Sequence, residues 1–472
     1  MSYNQALPTT DHSNPEIDTA WTALTNTQTH AFITGPAGTG KSTLLSRYLR
    51  QKDEDTGVAV VAPTGVAALN VGGETIHHCF HLRPGDTIHS AHIAAIRTAK
   101  AGFGDIFQHL DALVIDEISM VRADLFDMMD EFLRTIRRSN QSFGGVRLIC
   151  FGDLYQLPPV VNEQERALVA DYQSEFFFHS HAFARMQAEQ AANFSFTRLK
   201  HIFRQTDPDY LAFLDKVRHE RLEDSDLAFI NQHVTDLHRL MNLDASYIML
   251  TASRARAQRV NEYHLGRLKS PWKNFQGFTS GKFRPTDAPT SINLTLKEGA
   301  RVMLVNNDPE NRWVNGSTGT VTNIPNHDTV CVRLDDDDQI VEVHRHTWEN
   351  TETYFNKQTQ QIDTRVIGSF EQFPIIPAYA ITIHKSQGKT FPHLAIDLER
   401  QAFAGGQCYV ALSRGTTLET LHLARPLTYA DVHYDQHILD FMDAFFDGNT
   451  AEQAKYAITY QVTDNGTQAS IF

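Results

Sequence analysis

Gly35-Pro36-Ala37-Gly38-Thr39-Gly40-Lys41-Ser42 follows the spacing G-x-x-x-x-G-K-[ST]. The apolar run Ala31-Phe32-Ile33 precedes it, and the helix-competent stretch Ser42 to Leu49 follows it. A strand, a glycine-rich turn and a helix N-terminus make a phosphate cradle: backbone N–H groups surround the β-phosphate, Lys41 reaches the outer phosphates, and the Ser42 hydroxyl is placed to hold Mg²⁺. The segment Gly35 to Thr43 is therefore expected to bind a nucleoside triphosphate.

The use of that cradle depends on a second acid. Ala112-Leu113-Val114-Ile115 is too short for a helix and reads as a buried parallel strand that delivers Asp116 and Glu117 to its carboxyl end. Ligands sit at that end in open α/β sheets. Asp116 is expected to hold Mg²⁺, and Glu117 to orient and deprotonate the attacking water, because phosphoryl transfer needs mainly positioning and charge neutralisation.

A chain of 472 residues, 41% hydrophobic, has room for two or three globular domains. No apolar stretch approaches the length of a membrane span, and Met1 to Pro15 is polar without a basic or apolar signal region, so the expectation is a soluble, cytoplasmic protein with no membrane partner. Cys79, Cys150, Cys331 and Cys408 form no C-x-x-C pair, which argues against a zinc ribbon or disulfide framework. The cluster His77-His78-Cys79-Phe80-His81 lacks a second ligand pair, so it is not read as a metal site. The net charge of -14 opposes non-specific nucleic-acid binding by the whole surface, but it leaves room for a locally basic groove.

Strands and helices alternate. Val58 to Val61, Leu113 to Ile115 and Leu148 to Phe151 are buried strands of a first α/β domain, with a helical stretch from Asp124 to Arg137. Tyr247 to Leu250, Tyr379 to Thr382, Leu394 to Asp397 and Leu421 to Leu423 supply a second set. Between them, from about Ala300 to Phe370, closely spaced β segments suggest a small inserted barrel, with Asp335 to Asp338 as a solvated turn.

The remaining motifs carry a resemblance. Besides Gly35 to Ser42 they are Ala62-Pro63-Thr64-Gly65-Val66-Ala67-Ala68, Gly72 to His77, Asp116 to Met120, Gly152-Asp153-Leu154-Tyr155-Gln156-Leu157-Pro158-Pro159, Phe203-Arg204-Gln205, Thr382 to Gly388 and Gln407 to Arg414. Taken in this order, over residues 30 to 425, they resemble superfamily 1, class B DNA helicases of the PIF and RecD-like group. The resemblance implies an α/β architecture of two RecA-like P-loop NTPase domains. Residues 1–77 and 105–190 form the first, 78–104 a wedge insertion, 191–299 and 370–472 the second, and 300–369 a small inserted β-barrel. It implies ATP and Mg²⁺ as cofactors, and 5′ to 3′ movement of a monomer along single-stranded DNA with unwinding of forked duplex, in replication, repair or recombination.

Site residues follow from the same resemblance. Arg204 and Arg414 resemble arginine fingers, Gln156 a γ-phosphate contact, and Gln387 with Gly388 a further part of the nucleotide site. Pro63, Thr64, Thr75, His77, Thr251, Asn261, Thr382, His384 and Lys385 match positions that contact the strand; hydroxyl, amide and imidazole groups of this kind suit sequence-tolerant binding. One position departs from the family pattern: Asp18 to Thr22 contains no adenine-reading glutamine, and Gln28 lies out of register. A clamp or protein-remodelling ATPase without strand separation is the competing reading, and the two part at the wedge, where residues 82 to 104 read as short, polar and only moderately helical.

Overall fold

The computed structural model describes residues 14–52, 56–163, 165–190, 194–205, 207–244, 246–335, 337–356, 358, 361–400, 404–446 and 448. They fall into two compact units, the first drawn from Asp11–His201, Thr351–Val366 and Tyr434–Phe472, the second mainly from Ile202–Asn350 and Ile367–His433.

Six strands build the sheet of the first unit: β1 (His30–Thr34), β2 (Val58–Ala62), β3 (Glu74–Thr75), β4 (Ala112–Ile115), β5 (Arg147–Phe151) and β6 (Phe194–Arg198), in the order β3-β2-β4-β5-β1-β6. Every pairing is parallel. β1, β4 and β5 are buried along their whole length, which explains their nearly unbroken apolar sequences. Arg147 is the charged exception, and its guanidinium donates to the carbonyls of Ala23, Leu24 and Thr29 at 2.7, 2.9 and 2.6 Å, closing the end of the helix Pro15–Thr25.

Two boundaries differ from the sequence reading. β6 pairs with β1 from His30↔Phe194 to Thr34↔Arg198, so residues 194–198 belong to the first sheet and not to the second domain. The helix Gln436–Phe446 also packs on the first unit: Phe441 stacks on Phe178 with ring centroids 4.5 Å apart, and Phe445 lies 4.5 Å from Phe196. Aromatic burial, rather than chain order, decides where this helix docks.

The wedge region is better ordered than its composition suggests. Ile88–Lys100 is a 13-residue helix, capped by the Thr87 hydroxyl, which accepts from Ser90 N. Ala91 and Ala95 are fully buried against the helix Ala123–Arg137, and His92 Nδ1 lies 2.8 Å from Glu131 and 3.0 Å from the Thr135 hydroxyl.

The second unit contains β7 (Ile248–Thr251), β8 (Lys273–Gln276), β9 (Phe278–Gly281), β10 (Asn293–Leu296), β11 (Arg301–Leu304), β12 (Thr318–Asn323), β13 (Val330–Leu334), β14 (Ile340–Val343), β15 (His346–Asn356), β16 (Gln361–Gln372), β17 (Ile375–Pro377), β18 (Ala380–Thr382), β19 (Leu394–Asp397) and β20 (Leu421–Leu423); the ends of β15 and β16 that lie within 351–366 fall in the first unit. Its main sheet is parallel, in the order β18-β7-β19-β20. The inserted strands form the antiparallel sheets β14-β13-β12-β11-β17 and β10-β8, and a third sheet ordered β15-β16-β9 in which β16 and β9 are antiparallel. The insertion thus begins near Lys273 rather than at 300, and Val302, Val321, Val332, Val343 and Phe373 share one core with Met249, Val260 and Ala380 of the main sheet and its helix. Asp335 lies exposed in a turn, as expected, and also accepts from the 2%-exposed Arg301, whose buried charge needs a counter-ion.

Candidate functional site

The carboxyl ends of β1, β5 and β4, adjacent in the sheet, bring the nucleotide residues of the first unit together. Gly35 to Gly40 turn from β1 into the helix Lys41–Gln51, whose N-cap, Gly40, has a φ of 87°. That left-handed conformation favours glycine and leaves the helix N–H groups open. Thr39, 1% exposed, ties the loop by donating to Pro36 O at 2.9 Å. The Lys41 ammonium doubles back onto the carbonyls of Gly35 and Pro36 at 2.7 and 3.0 Å. Ser42 and Thr43 are exposed at the helix N-terminus.

Asp116 and Glu117 follow β4. Burial raises the Asp116 carboxyl from its ordinary value to about 6, against the opposing pull of the Glu117 N–H and the Lys41 charge. Glu117 sits at φ 53° and ψ 44°, a conformation that is uncommon for a residue with a side chain and that gathers at functional sites. Gln156, 7% exposed, donates from Nε2 to Asp153 at 3.0 Å, and Asp153, 1% exposed, also accepts from Tyr155 N. Asp153 is the positioning residue that the sequence reading missed; its place at the end of a buried strand, one residue after Gly152, was the available signal.

The donor set fits a nucleotide with its divalent cation. A lysine folded onto its own loop, two free-standing hydroxyls at a helix N-terminus and a carboxylate that is desolvated beyond what Lys41 offsets are the groups that a phosphate and a cation would engage. Ser42 and Asp116 would hold Mg²⁺, and Lys41 the phosphates.

Arg204, Gln387, Gly388 and Arg414 meet in the second unit. Arg204 donates to Gly388 O at 3.0 Å and to Ser413 O at 3.5 Å, and burial lowers its pKa. Gln205 Nε2 bonds the carbonyls of Ser413 and Gly415 at 2.9 and 3.0 Å. Gln387 Nε2 is buried with no hydrogen-bond partner among the described residues, which leaves a donor for a ligand. Arg414 differs from the finger expectation. It is 1% exposed, and its guanidinium donates to Val410 O, Ser386 O, Lys389 O and the Ser413 hydroxyl, so in this conformation it clasps the 386–389 loop.

The residues expected to contact the strand lie at or near the carboxyl ends of β2 and β3 in one unit and of β7 and β18 in the other. Pro63 follows β2; Thr64 and Thr75 are N-caps, accepting from Ala67 N and His78 N at 3.2 and 3.3 Å. His77 is half-buried in the single turn after β3, and its neighbour His78 pairs with Glu74. Thr382 accepts from Lys385 N at 3.4 Å, His384 is half-buried and Lys385 is exposed. Two of the expected strand contacts are engaged inside the unit. Thr251 is 0% exposed and donates to Ser253 O at 3.0 Å, while the Asn261 amide grips the Ala380 backbone from both ends at 2.7 and 2.9 Å. The Thr251 hydroxyl donor is thereby in use, as are one N–H and one lone pair of the Asn261 amide. Among the described residues no His, Cys, Asp and Glu group has metal-site geometry, and no helix is long and apolar enough to cross a membrane.

Residues 16–207 match the model of the family described as PIF1-like helicase. The ATP-dependent DNA helicase Pif1 of Bdellovibrio bacteriovorus is 32% identical over 400 residues, covering 84% of each chain. The Bacteroides sp. Pif1 structure in complex with ADP-AlF4 superposes with a TM-score of 0.80 at 32% identity, covering 92% of this chain and 97% of that one. The Bacteroides helicase in complex with ADP-AlF3 and single-stranded DNA gives 0.62 at 32% identity, with coverage of 92% and 98%. The parallel sheets of the two units are accordingly its two RecA-like domains, and this chain belongs to the PIF1-like helicase family.

Proposed function

We propose that this chain is an ATP-driven motor that moves 5′ to 3′ along single-stranded DNA as a monomer and opens duplex at forks, within the ATP-dependent DNA helicase activity of its family. Relatives are solved with single-stranded DNA and with nucleotide transition-state mimics, and the residues described above supply chemistry for both ligands.

In this reading Lys41 and the loop amides hold the phosphates, and Mg²⁺, when bound, neutralises their charge. Glu117, held in its left-handed conformation, orients a water and accepts its proton. Gln156, fixed by Asp153, donates toward the terminal phosphate. Arg204, once released from the Gly388 and Ser413 carbonyls, would offer its guanidinium to developing negative charge. Strand contact falls to Pro63, Thr64, Thr75, His77, Thr382, His384 and Lys385.

The anchored wedge helix Ile88–Lys100 carries the motor reading over a nucleotide-switched clamp. Strand separation requires a stiff element at the fork, and an alanine-packed, histidine-tethered helix has that stiffness, whereas a clamp has no use for it. The direction is tested on single strands biotinylated at one end and blocked with streptavidin. ATP should speed streptavidin release from the 3′ end and not from the 5′ end. Equal release from both ends, or none, contradicts directional movement.

A further inference from the structure

β7 and β18 run side by side with Thr251 opposite Thr382, and Ile383 N donates to Thr251 O at 3.0 Å. The chain leaves β7 through the N-cap Ser253 into Arg254, and leaves β18 into His384, Lys385 and, past Gly388, Lys389. Four basic side chains are thereby gathered at adjacent strand ends. Their mutual influence is visible in their ionisation. The Arg254 charge adds to desolvation in holding His384 and Lys385 below their ordinary values, and burial together with Lys385 lowers Lys389 to about 8.

Among the described residues Arg254, Lys385 and Lys389 form no ion pair. Of the two acids at the neighbouring end of β19, Asp397 is paired with Arg256 at 2.8 Å, and the Glu399 carboxylate accepts from the Ser253 hydroxyl at 2.6 Å. Arg254 and Lys385 are exposed and have no side-chain partner among the described residues. Lys389 is held in place, with Nζ 2.5 Å from Asn315 Oδ1 in the loop before β12 and its stem lying beside Gly316, where a Cβ would stand 3.4 Å from Lys389 Cγ. Like charges are costly to assemble, and a protein of net charge -14 has many acids with which to pair them. Cations gathered without ion pairs are what a site for a polyanion requires.

We propose that Arg254, Lys385 and Lys389 form a three-cation cradle for one backbone phosphate of the single strand, with Arg254 and Lys389 as DNA contacts additional to His384 and Lys385. The proposal rests on the strand-binding reading given above. The bidentate guanidinium of Arg254 fits two phosphate oxygens, and the start of the 14-residue helix it opens adds its N–H groups. Lys389 stands behind as a tethered charge that links the cradle to the inserted strands through Asn315.

The test titrates a fluorescent oligothymidine against the full chain by anisotropy at several salt concentrations, with a thermal melt of each variant. For a single strand each neutralised phosphate contributes about -0.7 to the slope of log affinity against log salt. Arg254→Ala should make the slope shallower by about 0.7 and weaken binding at low salt by about tenfold. Arg254→Lys should keep the slope while losing part of the affinity, and Lys389→Met should weaken binding by severalfold with its melt preserved. Arg259→Ala, which removes an equal charge five residues further along the same helix, should leave the slope unchanged. Parental slopes in Arg254→Ala and Lys389→Met, with Lys385→Ala still impaired, would overturn the cradle and leave the strand-binding reading standing. Absence of salt-dependent binding by the parent would overturn that reading itself.

Discussion

Gly152 sits where three parts of the hydrolytic site converge. Its N–H donates to Ile33 O at 3.2 Å, just ahead of the phosphate loop, and it precedes Asp153, which positions Gln156. A Cβ at this position would lie 2.8 Å from Ile118 Cγ2, 3.1 Å from Ile118 N and 3.3 Å from Ser119 N, the turn that follows Glu117. Ordinary carbon contacts begin near ~3.5 Å, so Gly152→Ala must push that turn by roughly 0.5 Å or more. Ile118 is 0% and Ser119 1% exposed, so neither yields freely. Overpacking of this kind costs about 1–3 kcal/mol, and a misplacement approaching ~1 Å of a catalytic group costs on the order of a hundredfold in rate. The expected result is a fall of about 30- to 100-fold in DNA-stimulated ATP turnover, with nucleotide affinity changed only a few-fold because Lys41 and its loop are not displaced. Turnover by coupled assay, nucleotide binding by a fluorescent analogue and a thermal melt separate these effects. Gly266→Ala is the control, since no atom lies within 4 Å of its added methyl. Turnover of Gly152→Ala within threefold of the parent would refute the idea that the approach of β5 to the Glu117 turn sets the position of the carboxylate.

Glu117→Gln should lower DNA-stimulated turnover by about 10²- to 10⁴-fold while still binding ATP, because it removes the proton acceptor and leaves the cradle intact; near-parental turnover would unseat the assignment. Arg204→Ala and Arg414→Ala should separate. The first should lower turnover on the order of a thousandfold with its melt preserved, whereas the second deprives several buried carbonyls of a donor and should cost about 3 kcal/mol of stability, read as a lowered melting temperature of the second unit. Asp116 gives a pH signature. Its carboxyl, raised to about 6 by burial, binds its proton more tightly folded than unfolded, so its contribution to stability is present at low pH and is lost as pH rises through about 6. A divalent cation should offset that loss, so Mg²⁺ should raise the melting temperature at pH 7 and have little effect at pH 5, and an equal rise at both would contradict the assignment.

The phosphate loop and the three strands around it were legible because each is a local pattern: glycines at fixed spacing, and apolar runs too short for helices. The second sheet was legible on the same grounds. What escaped depends on packing across the chain. Phe194 to Arg198 alternates polar and apolar residues and says nothing about pairing with β1, 164 residues away. The helix Gln436–Phe446 docks through rings contributed by Phe178, Phe196 and Phe32, which no local window contains. β8 exposes most of its residues and so lacks the apolar signature of an inserted strand. Thr251 and Asn261 have residue types that suit a nucleic-acid contact, yet their partners are Ser253 and the backbone of Ala380. The resemblance places residues by position in a motif, and only hydrogen-bond accounting shows which of those side chains are already occupied.

Unwinding of short duplexes carrying a single-stranded tail at either the 5′ or the 3′ end, measured with and without ATP and Mg²⁺, tests the central claim most directly. The account predicts ATP-dependent strand separation of the 5′-tailed duplex, little of the 3′-tailed one, and none by Glu117→Gln. ATP hydrolysis stimulated by single strands without separation of either duplex would contradict it, and would mean that the wedge helix is not at a fork and that the fold works as a clamp.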